Sequence, residues 1–204
     1  MIRARHKRYY VKFFNWYSWF IIRNHFRNVN IFMETPIPEG PLLLIGNHFS
    51  WWDGFFTVYV NQQIFKRKVH IMMLEEQLQK RMFLNKAGAF SISKGSRSII
   101  ESLDYCREIL SKRRNLLVIY PQGTIQSAYL KQFKFQKGLE RLLTETGQDL
   151  QLVFMASLIE YFSERKPRLD IYLCRMPVSG KPSIKKIEAE YNRFFDACRS
   201  RQKD

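Results

Sequence analysis

A chain of 204 residues with 46% hydrophobic and 15% aromatic content can bury enough apolar surface to offset its ordering entropy. That excludes a disordered polypeptide, and the length fits one domain better than two. The 34 Lys and Arg against 18 Asp and Glu leave a formal charge of +16, which attracts anionic lipid surfaces, nucleic acids and acidic small molecules alike. Cys106, Cys174 and Cys198 are odd in number, widely spaced and without a C-x-x-C pair, so they indicate neither a disulfide framework nor a metal site and fit a reducing compartment.

Basic and aromatic residues are concentrated together from Arg3 to Arg27, outside any recognisable nucleic-acid module, which favours a membrane surface as partner. The start Met1-Ile2-Arg3-Ala4-Arg5 leads into Tyr and Lys without a long apolar run, so no signal peptide is expected. The aromatic-rich stretch from Phe13 to Ile22, bracketed by Lys12 and Arg23, is well short of the ~20 residues that span a bilayer. Trp and Tyr suit the headgroup boundary and flanking Lys and Arg can reach anionic headgroups, so the segment reads as an interfacial helix lying in the membrane plane. An ordinary helix whose aromatics pack on the core fits the same residues, and the two readings are compatible. Residues 1–34 are therefore expected to form an amphipathic, membrane-associating segment ahead of a domain spanning 35–204.

After the breaker-rich stretch Thr35 to Pro41, Leu42-Leu43-Leu44-Ile45-Gly46 looks like a buried strand ending at Asn47-His48, a place where chemistry often sits. Further strands are expected at Val69–Met73, Ala89–Ile92, Leu116–Tyr120, Leu150–Met155 and Leu169–Leu173. Helical patterns lie between them: Trp52 to Gln63, Glu75 to Asn85, Ser96 to Arg113 with Ile99, Leu103, Cys106 and Leu110 on one face, Lys137 to Thr146, and Ser183 to Arg201 with Ile184, Ile187, Tyr191 and Phe194 as its stripe. The alternation implies an α/β fold, a single domain with a mixed, largely parallel sheet flanked by helices.

His48 and Asp53 stand five residues apart, which on one continuous helix would separate their side chains by about 140°. They can meet if His48 lies in the strand-to-helix loop and Asp53 in the first helical turn, with Ser50 as N-cap. A carboxylate there accepts the imidazole Nδ1 proton and leaves Nε2 free to take a proton from a hydroxyl, which makes a general base. Ser50-x-x-Asp53 also fits a capping box, in which the acid satisfies backbone donors at the helix start, and His48 alone could be a loop histidine satisfied by its neighbours. His6, His25 and His70 lack a comparable acidic neighbour. No G-x-S-x-G elbow is present, so direct transfer is favoured over a covalent intermediate. A second loop follows the Leu116 strand, Pro121-Gln122-Gly123-Thr124-Ile125-Gln126-Ser127, where the glycine lets backbone amides approach a ligand.

Together these segments resemble the ordered blocks of the lysophospholipid acyltransferases, the family that acylates glycerol phosphate and lysophosphatidic acid. Asn47 through Asp53 match the block N-H-x-x-x-x-D, and Pro121 onward is similar to F-P-E-G-T-R-S. Gly88-Ala89-Phe90-Ser91-Ile92-Ser93-Lys94 resembles the block that ends in arginine, with Lys94 at the arginine position, which keeps the charge and loses bidentate geometry. Phe133 to Gly138 is similar to the basic-aromatic segment that opens the following helix, and Leu152 to Ala156 is loosely similar to the last block, without its proline. The resemblance spans roughly residues 40 to 160.

The resemblance implies an acyltransferase domain in which His48 deprotonates an acceptor hydroxyl and Asp53 orients the imidazole and stabilises its protonated form. It implies an acyl thioester co-substrate, acyl-CoA or acyl carrier protein, and no tightly bound cofactor. Lys94, Gln122, Gly123 and Thr124 become the substrate-binding residues, with backbone amides near Gly123 and Thr124 as oxyanion donors. It places the chain on the cytoplasmic face of the membrane, peripheral or monotopic, with a lysolipid acceptor. Gln122 replaces the family's glutamate and Ile125 its arginine, so a carboxylate and a guanidinium are missing where the family recognises its acceptor, and phosphate recognition should weaken. Two other classes fit parts of the sequence: a membrane-binding protein of the same fold without catalysis, and, from charge and aromatics alone, a single-strand nucleic-acid binder.

Overall fold

A computed structural model describes all residues except 37–38, 93–95, 137, 145–149, 178–182 and 204. Seven strands, β1 (Val29–Met33), β2 (Leu42–Gly46), β3 (Lys68–Leu74), β4 (Ala89–Ile92), β5 (Asn115–Ile119), β6 (Gln151–Glu160) and β7 (Arg168–Met176), form one sheet in the order β1-β7-β6-β2-β5-β3-β4. Pairing is parallel throughout except between β6 and β7, so β1 and β7 run against the other five. The mixed, largely parallel sheet read from the alternating pattern is the one observed.

The centre of the sheet is apolar on both faces, as a parallel strand covered on both sides must be. Leu43 and Ile45 of β2 face one helical layer together with Leu117 and Ile119 of β5 and Phe154 of β6. That layer consists of α5 (Ser96–Leu110), α6 (Gly138–Thr144) and α7 (Ile184–Ser200). Leu42 and Leu44 face the other way, into a second core with Leu116, Val118 and Val153, closed by α1 (Arg8–His25) and α2 (Asp53–Val60). The period-2 reversal of a strand thus divides one run of leucines between two cores.

Helix α1 carries both of its expected faces. Phe14, Ser18, Ile21 and Ile22 are buried, whereas Tyr9, Phe13, Trp16, Trp19 and Phe20 are exposed large side chains. Among the described residues no helix is long and apolar enough to cross a membrane. Residues 1–34 are tied into the main body, because β1 pairs with β7 and the segment before α1 hydrogen-bonds along β4 and the turn preceding it, through Ser91 N to the Ile2 carbonyl and Arg5 N to the Asn85 carbonyl.

Three boundaries differ from the sequence reading. The helix expected over Glu75–Asn85 is broken into α3 (Glu75–Gln79) and α4 (Met82–Asn85), because Arg81 leaves helical geometry at φ −138° and ψ 48°. Helix α2 continues as one wide turn over Asn61–Phe65, stopped by Lys66 in the left-handed region, φ 53°. Strand β1 went unread because its side chains are only half-buried or exposed, so it carries little of the apolar signal that marks the central strands. The end of the helix expected over Lys137–Thr146 lies outside the described residues.

Candidate active site

The site sits where β2 leaves the sheet. Asn47, the first residue past the strand, turns its amide inward and pairs with both backbone groups of Ser157 in β6: Nδ2 donates to the Ser157 carbonyl at 3.0 Å, and Ser157 N donates to Oδ1 at 2.9 Å. This ties the start of the loop to the neighbouring strand. The next residue, His48, then projects at the carboxyl edge of the parallel strands, where open α/β sheets place their ligands.

Asp53, the first residue of α2, folds back under His48. A single carboxylate oxygen, Oδ2, accepts three hydrogen bonds: from His48 Nδ1 at 2.7 Å, Phe49 N at 2.9 Å and Ser50 N at 3.0 Å. The backbone contacts expected of a capping acid and the contact to the imidazole therefore meet in one atom. Ser50 departs from its expected role as N-cap: Trp52 stands at that position, and Ser50 Oγ accepts from Trp52 N at 3.2 Å, shaping the turn ahead of α2. Because the partner of Nδ1 is a carboxylate, Nδ1 carries the proton and Nε2 presents its lone pair outward. The His48 side chain is 26% exposed and that of Asp53 only 1%, so the imidazole reaches solvent while its partner is shielded. Burial lifts the Asp53 carboxyl above its ordinary value, against the pull of the hydrogen bonds from His48, Ser50 and Phe49.

Tyr120, which follows β5, closes the imidazole from the side. Its ring stacks on His48 with centroids 4.8 Å apart and planes 21° apart. Its hydroxyl donates to the Asp53 carbonyl at 2.8 Å and accepts from Thr57 Oγ1, also at 2.8 Å. The ring is partly buried, and desolvation together with the nearby Asp53 holds the phenol well above its ordinary value, so it acts as a neutral wall. Neither Tyr120 nor Thr57 was singled out in the sequence. The signal that could have marked Tyr120 is its place at the aromatic position before the Pro-Gln-Gly-Thr segment.

That segment folds against the histidine loop. Gln122 Oε1 accepts from His48 N at 2.6 Å, and Gln126 N donates to the His48 carbonyl at 2.9 Å. Gln122 is 3% exposed, so its amide faces the protein interior. Gly123 takes φ +73°, a left-handed turn that suits glycine, and its N–H is already donated to the Tyr120 carbonyl at 3.1 Å. The Thr124 amide has no hydrogen bond among the described residues, and Thr124 is exposed beside Gly123, which makes it the freer of the two expected oxyanion donors. Ile125 stands 57% exposed, with Trp51 equally so. Lys94 lies outside the described residues. Among the described residues the remaining histidines have no carboxylate partner: His6 Nε2 donates to the Val69 carbonyl and His25 Nδ1 to the Ile21 carbonyl, while both ring nitrogens of buried His70 are without a hydrogen bond there.

Trp52 pins this site to the N-terminal helix. It contacts His25 and Phe26 at centroid distances of 5.1 and 5.6 Å and stacks on Phe56 at 6.2 Å. Trp51 packs on Phe55 at 4.5 Å, and Phe55 meets Tyr17 of α1 at 5.7 Å. A chain of aromatic rings thus runs from the rim of the histidine to the exposed face of α1.

An α/β sheet whose strand edge carries a half-buried imidazole paired with a buried carboxylate has the frame of an enzyme site. Residues 28–157 match the acyltransferase family, and the chain belongs to that family; it is an acyltransferase, as the Asn47–Asp53 and Pro121–Thr124 segments had suggested. The fold is similar to that of PlsC from Thermotoga maritima, a 1-acyl-sn-glycerophosphate (LPA) acyltransferase, at a TM-score of 0.60 and 13% identity over 95% of this chain and 81% of that one. Comparison with curated proteins gives no match.

Proposed function

We propose that this enzyme moves a fatty acyl group from an acyl thioester, acyl-CoA or acyl carrier protein, to the hydroxyl of a lysolipid or related amphiphile at a membrane surface, with His48 as general base. The observation that carries the reading is the 2.7 Å contact between His48 Nδ1 and buried Asp53, which leaves Nε2 as an exposed acceptor. Nε2 takes the acceptor hydroxyl proton as the oxygen attacks the thioester carbonyl. The tetrahedral oxyanion collapses, the carbon–sulfur bond breaks, and the thiolate leaves with the proton returned by the imidazolium. Asp53 stabilises that imidazolium, and the Thr124 amide is the candidate donor to the oxyanion.

The exposed aromatics of α1, between Lys12 and Arg23 in a chain of charge +16, support attachment of residues 1–34 to anionic lipid at the cytoplasmic face, with residues 35–204 supplying the chemistry. The geometry of the rim supports an acceptor delivered from that surface. A cleft of about 470 Å³ beside Glu160 and Asp196 and a cavity of about 100 Å³ under His6 and His70 are both lined by residues other than His48 and the 120–127 loop. Exposed Ile125, where the family carries arginine, supports an acceptor without a phosphomonoester in contact with that position. Purified enzyme given a thioester donor and a total lipid extract, with products identified by mass, tests activity and acceptor together. Loss of thiol release and of product in His48→Ala is expected, and undiminished turnover in that variant overturns the reading.

A further inference from the structure

We propose that Gln126 is a positioning residue for His48, acting through Gln122, and that the two glutamines form a neutral clamp on the His48 peptide. The inference rests on the reading of His48 as the base. Both polar groups of that peptide are held by the 122–126 segment. Gln122 Oε1 accepts from His48 N at 2.6 Å, Gln126 N donates to the His48 carbonyl at 2.9 Å, and Gln122 Nε2 donates to Gln126 Oε1 at 2.6 Å. A further approach of Gln122 Nε2 to the His48 carbonyl is long, at 3.5 Å, which leaves Gln126 as the close acceptor for that amide.

The roles of the atoms follow from a donor–acceptor count. The His48 N–H demands an acceptor, so the Gln122 side chain must present oxygen to it, and its NH2 is then directed at residue 126. Gln122 is almost wholly buried, so an NH2 with no acceptor at residue 126 carries a desolvation penalty that draws it toward the other acceptor in reach, the His48 carbonyl now 3.5 Å away. That swing pulls Oε1 off the His48 N–H and shifts the histidine loop. His48 Nε2 has to lie within hydrogen-bond reach of the attacking hydroxyl, and an error of about 1 Å in such a group can cost ~10²-fold in rate. Gln126 therefore fixes the orientation of the Gln122 amide, and that amide fixes the base. Since both members are uncharged, the clamp itself does not titrate.

Three variants test this with kcat and acceptor KM measured across pH. Gln126→Met, of similar length without an acceptor, is expected to lower kcat about ten-fold, the equivalent of one lost buried hydrogen bond, with KM unchanged. Gln126→Glu supplies an acceptor oxygen and should bring kcat back toward the native value. The double variant Gln122→Glu/Gln126→Glu places two carboxylates at the separation now spanned by one hydrogen bond, where they share a proton. Its kcat should fall as pH rises through the raised value of that pair, a limb absent from the native profile. A Gln126→Met enzyme with native kcat, or a double variant with the native pH profile, overturns the clamp; should Gln126→Met fail to fold, the double variant's pH profile decides alone. His48→Ala assayed alongside separates the two claims: turnover in that variant removes the base itself, whereas a dead His48→Ala beside unaffected glutamine variants removes only the clamp.

Discussion

Replacing Asp53 by asparagine and by alanine separates its two duties by magnitude. Asparagine is isosteric: its oxygen can take the place of Oδ2 and continue to accept from Phe49 N and Ser50 N, now at 2.9 and 3.0 Å, so the turn into α2 should survive. What disappears is the negative charge opposite the imidazolium. A hydrogen bond to a charged group contributes ~1.5–3 kcal/mol, or roughly 10- to 150-fold in rate at ~1.4 kcal/mol per decade, and a mis-set histidine tautomer in an analogous triad costs ~10⁴. Asp53→Asn should therefore reduce kcat by at least about ten-fold, and by up to ~10⁴ if the tautomer is mis-set, with a melting temperature close to native. Alanine additionally strands the two backbone N–H groups. At about 1 kcal/mol each for a partly buried loop, the melting temperature should drop by ~4–8 °C for a chain of this size. Initial rates of thiol release at saturating donor, with melting followed by circular dichroism, read both quantities. An Asp53→Asn enzyme within threefold of native kcat, or an alanine variant as stable as the asparagine one, would refute the double role.

Other consequences are as concrete. Ile125→Arg returns a guanidinium to the exposed rim and should raise the rate on lysophosphatidic acid relative to uncharged lysolipids by about ten-fold, one charge-assisted contact; an unchanged product ratio from the mixed lipid extract counts against Ile125 as an acceptor determinant. Trp16→Ser/Phe20→Ser alters two side chains that are 55% and 45% exposed, and it should weaken co-sedimentation with anionic vesicles while leaving the melting temperature within about 2 °C, as surface substitutions do. His70 gives a pH signature of folding: burial, with His6, Lys68 and Lys112 nearby, lowers it from 6.5 to about 3. The unfolded chain then binds the proton more readily than the folded one, so stability is intact above about pH 6.5 and is lost as pH falls toward 3, by ~1.4 kcal/mol per unit. Chemical denaturation between pH 7 and 5 should show that slope in the native protein and a shallower one in His70→Gln, and equal slopes would contradict it.

Much of the fold was legible because the central strands have no polar face. A run such as Leu42–Ile45 can be nothing but a doubly covered strand or a buried helix segment, and Pro and Gly on either side make it too short for a helix. The edges were less legible for the same reason. Val29-Asn30-Ile31-Phe32-Met33 pairs only with β7 and is half-exposed, so tertiary pairing, and not its own pattern, makes it a strand. At the site, the five-residue spacing announced that His48 and Asp53 could meet only across a bend. The Tyr120 wall, its Thr57 partner and the link from Asn47 to Ser157 are long-range in sequence, and no local pattern encodes them.

The substitutions in the second loop acquire different meanings once their directions are known. Position 122 faces inward, and what the histidine backbone requires there is an acceptor oxygen, which an amide provides as well as a carboxylate. Position 125 is exposed, and its side chain is open to what arrives at the rim. A change at 122 can therefore be neutral for the base provided residue 126 accepts the amide that the carboxylate never had. A change at 125 leaves the His48–Asp53 contact untouched, and under the proposed function it alters which acceptor the rim can take. Residues 122 and 125 share one loop but face opposite ways, so under the proposed function this chain can combine an intact His48–Asp53 pair with a rim that lacks the family's guanidinium.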